Sequence, residues 1–170
     1  MKYALDNSKN HLLKKFNTHL PIVLVLIAAT SIRIVYWIKF QLSDFGSILL
    51  VDAESYHLKA LNLLNQGWLG DSAFYQAPLY PYFLAVNYKI FGQNILTVQG
   101  IQIVLSICTV WLIYKISKVL FDHKVAILGA GLCSIYGPFI FYSVLILKVT
   151  LSLFFSSLFI FVLLRSCQSL

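Results

Sequence analysis

The sequence is poor in charge. Only 11% of its 170 residues are charged, against 59% hydrophobic, whereas a soluble domain carries roughly a quarter charged residues. With a mean hydropathy of +0.81, that deficit excludes a domain dispersed in water and makes lipid the main solvent. Acidic residues are scarcest: there are six, and four of them (Asp44, Asp52, Glu54, Asp71) fall in one stretch whose single basic residue is Lys59. The three cysteines, Cys108, Cys133 and Cys167, lie far apart in or at the ends of apolar runs. They have no metal-ligand or disulfide-framework spacing and read as small buried apolar residues. No glycine-rich phosphate loop, internal repeat or low-complexity tract is present, and Ser31, Ser106, Thr109 and Ser134 have no His and Asp in the order a serine nucleophile needs. The 13 basic residues give a net charge of +7. Most stand beside apolar runs, as topology signals do, and they form no nucleic-acid footprint.

What the chain does have is long apolar runs, each near the roughly 20 helical residues that cross a hydrocarbon core. Residues 1–19 hold Lys2, Lys9, Lys14 and Lys15 and read as a basic cytoplasmic N-terminus. Residues 20–42 are the first span, with Pro21 in its first turn; the run stays apolar past any signal-cleavage site, so it is an uncleaved anchor. Residues 43–93 form the acidic external loop. Within it, Ala53 to Asn65 has Tyr56, Ala60, Leu63 and Leu64 at helical spacing and is closed by Gln66 and Gly67, which predicts a short amphipathic helix on the membrane surface.

Pro78 to Phe91 is the ambiguous run. Its 14 residues reach about 21 Å, short of the hydrocarbon thickness, so it reads as a second surface helix. Residues 94–170 then hold three more spans: Asn94 to Leu120 inward, Lys124 to Leu147 outward with a kink at Pro138, and Lys148 to Leu164 inward. This order leaves Lys115, Lys118, Lys124 and Arg165 in the cytoplasm, as the positive-inside rule prefers. The fold expected is all-α, a polytopic transmembrane helix bundle with amphipathic juxtamembrane helices in the first external loop. The chain ends five residues after Arg165 without a closing domain, which reads as a fragment of a larger membrane domain.

The acidic loop is the candidate site. Asp52 reads either as a base or as the N-cap of the helix that follows. Glu54, two residues on, faces another direction once both lie in a helix. His57 shares a face with Glu54, which makes a divalent cation a candidate, although two ligands do not define a site. Trp68, Tyr75, Tyr80 and Tyr82 form an aromatic group suited either to an interfacial belt or to stacking on a sugar or polyprenyl chain. Arg33 lies about nine residues inside its run, where a cation needs a partner or an escape to the interface. Lys148 begins the last span.

The segments Val51-Asp52-Ala53-Glu54-Ser55-Tyr56, Phe74-Tyr75-Gln76-Ala77-Pro78-Leu79-Tyr80-Pro81-Tyr82-Phe83 and Ile90-Phe91-Gly92 resemble, in order and spacing, the first external loop of the C-type membrane glycosyltransferase superfamily, in its protein O-mannosyltransferase and aminoarabinose transferase-like branch. The resemblance runs from about Ile32 to Leu158. It implies a glycosyltransferase that moves a sugar from a polyprenyl- or dolichyl-phosphate donor to a lipid, glycan or protein acceptor on the non-cytoplasmic side. It also implies Asp52 as the catalytic base; from the residues' own chemistry Glu54 is the second candidate catalytic carboxylate, and Arg33, His57, Gln76, Tyr80 and Lys148 are the candidate substrate-binding residues. Metal ligands, other cofactors and nucleic-acid partners are not implied; membrane lipids are. The setting implied is an integral protein of a plasma membrane of the bacterial inner-membrane kind. Gln76-Ala77 and Lys148 depart from the charged and acidic residues found there in relatives. A transporter or accessory subunit is the rival reading, with Arg33 and Lys148 along an anion path; a catalytically inactive fragment is a third.

Overall fold

A computed structural model describes residues 2–46, 48–49, 51–68 and 76–169, with side chains described between 19 and 168. Asp71, Phe74 and Tyr75, and the side chains of Lys2, Lys9, Lys14 and Lys15, lie outside the described residues. Among the described residues there are seven helices and no strand: α1 Lys2–Gln41, α2 Asp52–Gln66, α3 Leu79–Phe91, α4 Ile95–Leu120, α5 His123–Ile135, α6 Gly137–Val144 and α7 Val149–Ser169. The architecture is therefore the all-α one expected. Three stretches, His19–Gln41, Ile95–Leu120 and Val149–Gln168, are long and apolar enough to cross a membrane. The pair α5 and α6, bent by 52° at Tyr136, makes a fourth if counted as one span.

Local signals account for several of the helix ends. Asn94 caps α4 by accepting from the Leu96 amide at 2.9 Å, and Asp122 caps α5 by accepting from the Val125 amide at 2.8 Å, each satisfying an amide left without an intrahelical partner. α3 stops at Phe91 because Gly92 takes φ 79°, a left-handed value glycine adopts without steric cost. The break between α5 and α6 falls at Tyr136, extended at φ −66° and ψ 111°, just before Pro138, which has no amide for the Ser134 carbonyl. Pro21 departs from its expected place in the first turn, since α1 runs back to Lys2 and makes it an interior proline. The carbonyl it deprives is that of Asn17, where the sequence turns polar and water can replace the missing amide.

α4 is the central helix. It packs against α1, α5, α6 and α7, and 44% of its apolar stretch is buried, against 17% for α1 and α7. One cluster, Ile22 and Ala29 of α1, Val110 and Tyr114 of α4, and Ala126, Ala130 and Cys133 of α5, uses small residues to bring three helices close. Gly129 belongs to the same contact: a Cβ there would meet Ser117 Oγ at 3.2 Å. The second cluster joins Tyr56, Ala60 and Leu63 of α2 to Tyr80, Leu84 and Tyr88 of α3, and both to Val98, Ile146 and Leu151. Cys133 is buried and Cys108 half buried, but Cys167 is exposed, contrary to expectation, because it lies in the last turn of α7, where residues 165–168 are all exposed.

α2 and α3 return the chain to the end of the bundle it left. Trp37 and Gln41 near the end of α1 both donate to Gln99 Oε1 near the start of α4, at 2.8 and 2.6 Å, so the 53 residues between Gln41 and Ile95 leave and re-enter at one place. α3, with 13 residues, is not among the helices long enough to cross.

Candidate active site

At that end of the bundle a cavity of about 1130 Å³ opens between the end of α1, the 42–53 segment, the start of α4 and residues 141–147. Its wall is mostly apolar, with Phe40, Phe45, Leu49, Ile95, Phe141 and Leu147 among the lining residues. Among the described residues that line it, Asp52 is the sole carboxylate and Lys39 the sole cation. The tight turn that leads from α1 into this wall requires glycine at 46, since a Cβ there would lie 2.6 Å from the Phe40 carbonyl oxygen and 2.8 Å from Gln41 Cα. Both contacts are backbone and cannot give way.

Asp52 is the first residue of α2 and not its cap. The capping position is Val51, at φ 46° and ψ −99°, and no side chain caps the helix. A β-branched residue avoids positive φ, and such a conformation costs about 1–3 kcal/mol, strain that persists where the surroundings impose it and that gathers at functional sites. The Asp52 side chain is exposed, with Oδ1 accepting from Gln76 Nε2 at 2.8 Å. Gln76 thus orients the carboxylate from across the loop, a link between residues 24 apart.

The other residues singled out in the sequence divide into three groups. Glu54 is exposed and, two residues on in the helix, does not pair with Asp52. His57 turns to α3, its Nδ1 2.8 Å from the Tyr88 hydroxyl. Burial pushes that hydroxyl up to about 12, so it stays neutral. Among the described residues no group of three His, Cys, Asp or Glu lies close enough to hold a metal ion, so the Glu54 and His57 pair gains no third ligand.

Tyr80 is sealed in the core at 1% exposure, edge-on to Tyr56 with 4.9 Å between centroids. Its hydroxyl donates to Gln102 Oε1 at 2.5 Å; burial, then the neighbouring Tyr88 and Tyr56, push it well above the usual phenol range. Tyr56 is raised as well, by burial first and by the Asp52 carboxylate second. Trp68 and Tyr82 are stacked, with 6.3 Å between centroids, and the Lys89 ammonium lies 5.4 Å over the Trp68 ring.

Arg33 and Lys148 do not line the cavity. Arg33 is 0% exposed and binds protein atoms: Nε donates to Ser106 Oγ at 2.8 Å, and Nη1 to the carbonyls of Ala29 at 3.1 Å and Ser134 at 3.2 Å. Nη2 is buried without a partner. Arg33, a candidate substrate-binding residue in the sequence, instead ties α1, α4 and α5 together. Lys148 is exposed, and its carbonyl accepts the Ser152 amide at the head of α7.

Three residues at the site went unnoticed in the sequence. Lys39 is a second cation in the first apolar run. Gln99 and Gln102 are an i, i+3 pair of amides in a helix otherwise fit for lipid, a costly placement that signals buried partners. Gln99 Nε2 donates to the Val144 carbonyl at 2.8 Å, and Gln102 Nε2 to the carbonyls of Leu145 at 2.6 Å and Ser143 at 3.4 Å.

No curated protein and no solved structure gives a match to this chain. A family model does, over residues 75–169, which takes in α3 to α7 and begins after Asp52. It covers more than half of a chain whose all-helical build and apolar helices agree with it, and the chain belongs to the dolichyl-phosphate-mannose-protein mannosyltransferase family of glycosyltransferases.

Proposed function

We propose that the protein transfers a sugar from a polyprenyl- or dolichyl-phosphate donor to an acceptor hydroxyl on the non-cytoplasmic side of the membrane. The observation that carries this reading is the place of Asp52, a carboxylate held by Gln76 on the wall of a large apolar cavity. An apolar wall suits a prenyl chain, and the exposed carboxylate suits the deprotonation of an acceptor.

In the step proposed, Asp52 takes the acceptor O–H proton as the acceptor oxygen attacks the anomeric carbon. The bond from that carbon to the lipid phosphate breaks, and the phosphate leaves with the electron pair. One displacement of this kind inverts the anomeric centre. Lys39, the cation on the same wall, stabilises the charge that grows on the departing phosphate, as ammonium groups do where water is scarce. Lys148, exposed at the head of α7, is the second cation available to the donor. The acceptor is a lipid, a glycan or a protein.

The membrane arrangement that goes with this reading keeps residues 1–19 cytoplasmic, 20–42 as the first span, 43–93 outside with α2 and α3 on the surface, and three further spans in 94–170. It leaves Lys115, Lys118, Lys124 and Arg165 inside. The transporter reading loses its main support, because the deep charge it relies on, Arg33, is sealed against protein atoms. A transfer assay with Asp52→Asn tests the proposal.

A further inference from the structure

The two glutamines of α4 are bonded in a direction that leaves no freedom in how their amides point. Both groups that reach Gln99 Oε1, from Trp37 and Gln41, are N–H donors, and the group that Gln99 Nε2 reaches, the Val144 carbonyl, is an acceptor. Gln102 repeats the pattern, with the Tyr80 hydroxyl donating to Oε1 and the Leu145 and Ser143 carbonyls accepting from Nε2. Flipping either amide would set like against like. Gln99 is 2% exposed and Gln102 0%, so these bonds do not compete with solvent.

The partners are as informative as the bonds. On one side stand Trp37 and Gln41, at the end of α1 from which the Asp52 segment departs, and Tyr80, whose ring packs on Tyr56 of the Asp52 helix. On the other stand the carbonyls of 143–145, at the end of α6, where the chain unwinds into the turn that carries Lys148. Helix ends leave carbonyls without amides, and two side-chain amides of α4 supply them here. Residues 144–147 and Gln99 itself also line the cavity.

We propose that Gln99 and Gln102 are positioning residues, which hold the Asp52 helix and the Lys148 turn in one fixed frame beside the cavity. This rests on the proposed function for its catalytic meaning, but the frame itself is a property of the chain. Each glutamine joins two structures distant in the chain through a single amide: Gln99 joins Gln41 to Val144, 103 residues apart, and Gln102 joins Tyr80 to Leu145, 65 residues apart. Loss of one end of either amide frees the wall it held while leaving the apolar packing of α4 in place.

The test has a structural arm and a kinetic arm. Spin labels at Leu58, exposed on α2, and at Lys148, in the chain reconstituted in nanodiscs without its native cysteines, report the distance across the frame. The proposal predicts one narrow distance distribution in the parent and a broadened or shifted one in Gln99→Leu and Gln102→Leu at unchanged helicity. Tyr80→Phe, which removes one oxygen from a buried ring, is predicted to broaden it too, and it keeps the test readable if a leucine variant fails to fold. Gln102→Glu retains the acceptor for Tyr80 but loses the donors to 143 and 145, and is predicted to behave as the leucine variant does. In unlabelled protein the same substitutions are predicted to lower kcat for transfer at least tenfold while the donor KM moves less than threefold. Parent-like distances in Tyr80→Phe and in the folded glutamine variants would overturn the proposal. A parent chain without transfer activity would count against the functional reading, and the distances would still decide this one.

Discussion

Arg33 Nη1 donates to the carbonyl of Ser134, the carbonyl that Pro138, four residues on, cannot serve. A guanidinium from α1 thus stands in for a backbone amide at the break between α5 and α6, and Nε holds Ser106 of α4 at the same time. This explains why a cation stays at a depth where charge is costly: it meets a carbonyl that would otherwise be unsatisfied in an apolar setting.

Arg33 and Pro138 should therefore be coupled. In Pro138→Ala the restored amide can serve Ser134, so Arg33→Met should cost less stability in that background than in the parent. The expected coupling is about 0.5–3 kcal/mol, the range for residues that share a partner. Thermal unfolding in detergent measures it, and strictly additive losses would refute the shared carbonyl.

The surface reading of α3 makes a prediction about sidedness. Single cysteines at Asp71 and at Lys118 should differ toward an impermeant thiol reagent in intact cells, with the first labelled and the second protected. Labelling of both would make residues 78–91 a span and move Lys148 to the cytoplasmic side, away from the acidic loop.

Lys39 and Lys148 should matter unequally. Lys39 lines the cavity with Asp52 and Lys148 does not, so Lys39→Ala should raise the donor KM by about 10- to 100-fold, the loss expected for a charge-assisted hydrogen bond worth about 1.5–3 kcal/mol. Lys148→Ala should have the smaller effect. Donor saturation curves measure both, and equal or absent effects would remove Lys39 from the phosphate.

How much of this was legible beforehand depended on how local the cause was. The helix expected over 53–65 is observed over 52–66, since its apolar spacing and Gly67 are signals within a few residues. The short helix at 79–91 and the break beside Pro138 were legible for the same reason. The cap reading of Asp52 failed because it depends on the backbone of Val51, whose positive φ no local preference predicts. Arg33 was noticed as costly, but its partners lie 73 and 101 residues away. Gln99, Gln102 and Lys39 each signal a buried or interfacial partner by standing in an apolar run, but the sequence does not say which carbonyls or which cavity they serve.

The central claim is that Asp52 is the base. Asp52→Asn keeps the shape of the side chain and can keep a contact with Gln76 by rotation of either amide, but it removes the basicity that acceptor deprotonation needs. The measurement is donor-to-acceptor sugar transfer by the purified, membrane-reconstituted enzyme, with Glu54→Gln as the neighbouring control. The account predicts a fall in kcat of about 10² to 10⁴ for Asp52→Asn, with protein level and helicity unchanged and a much smaller effect of Glu54→Gln. Turnover near the parent value in Asp52→Asn would contradict it.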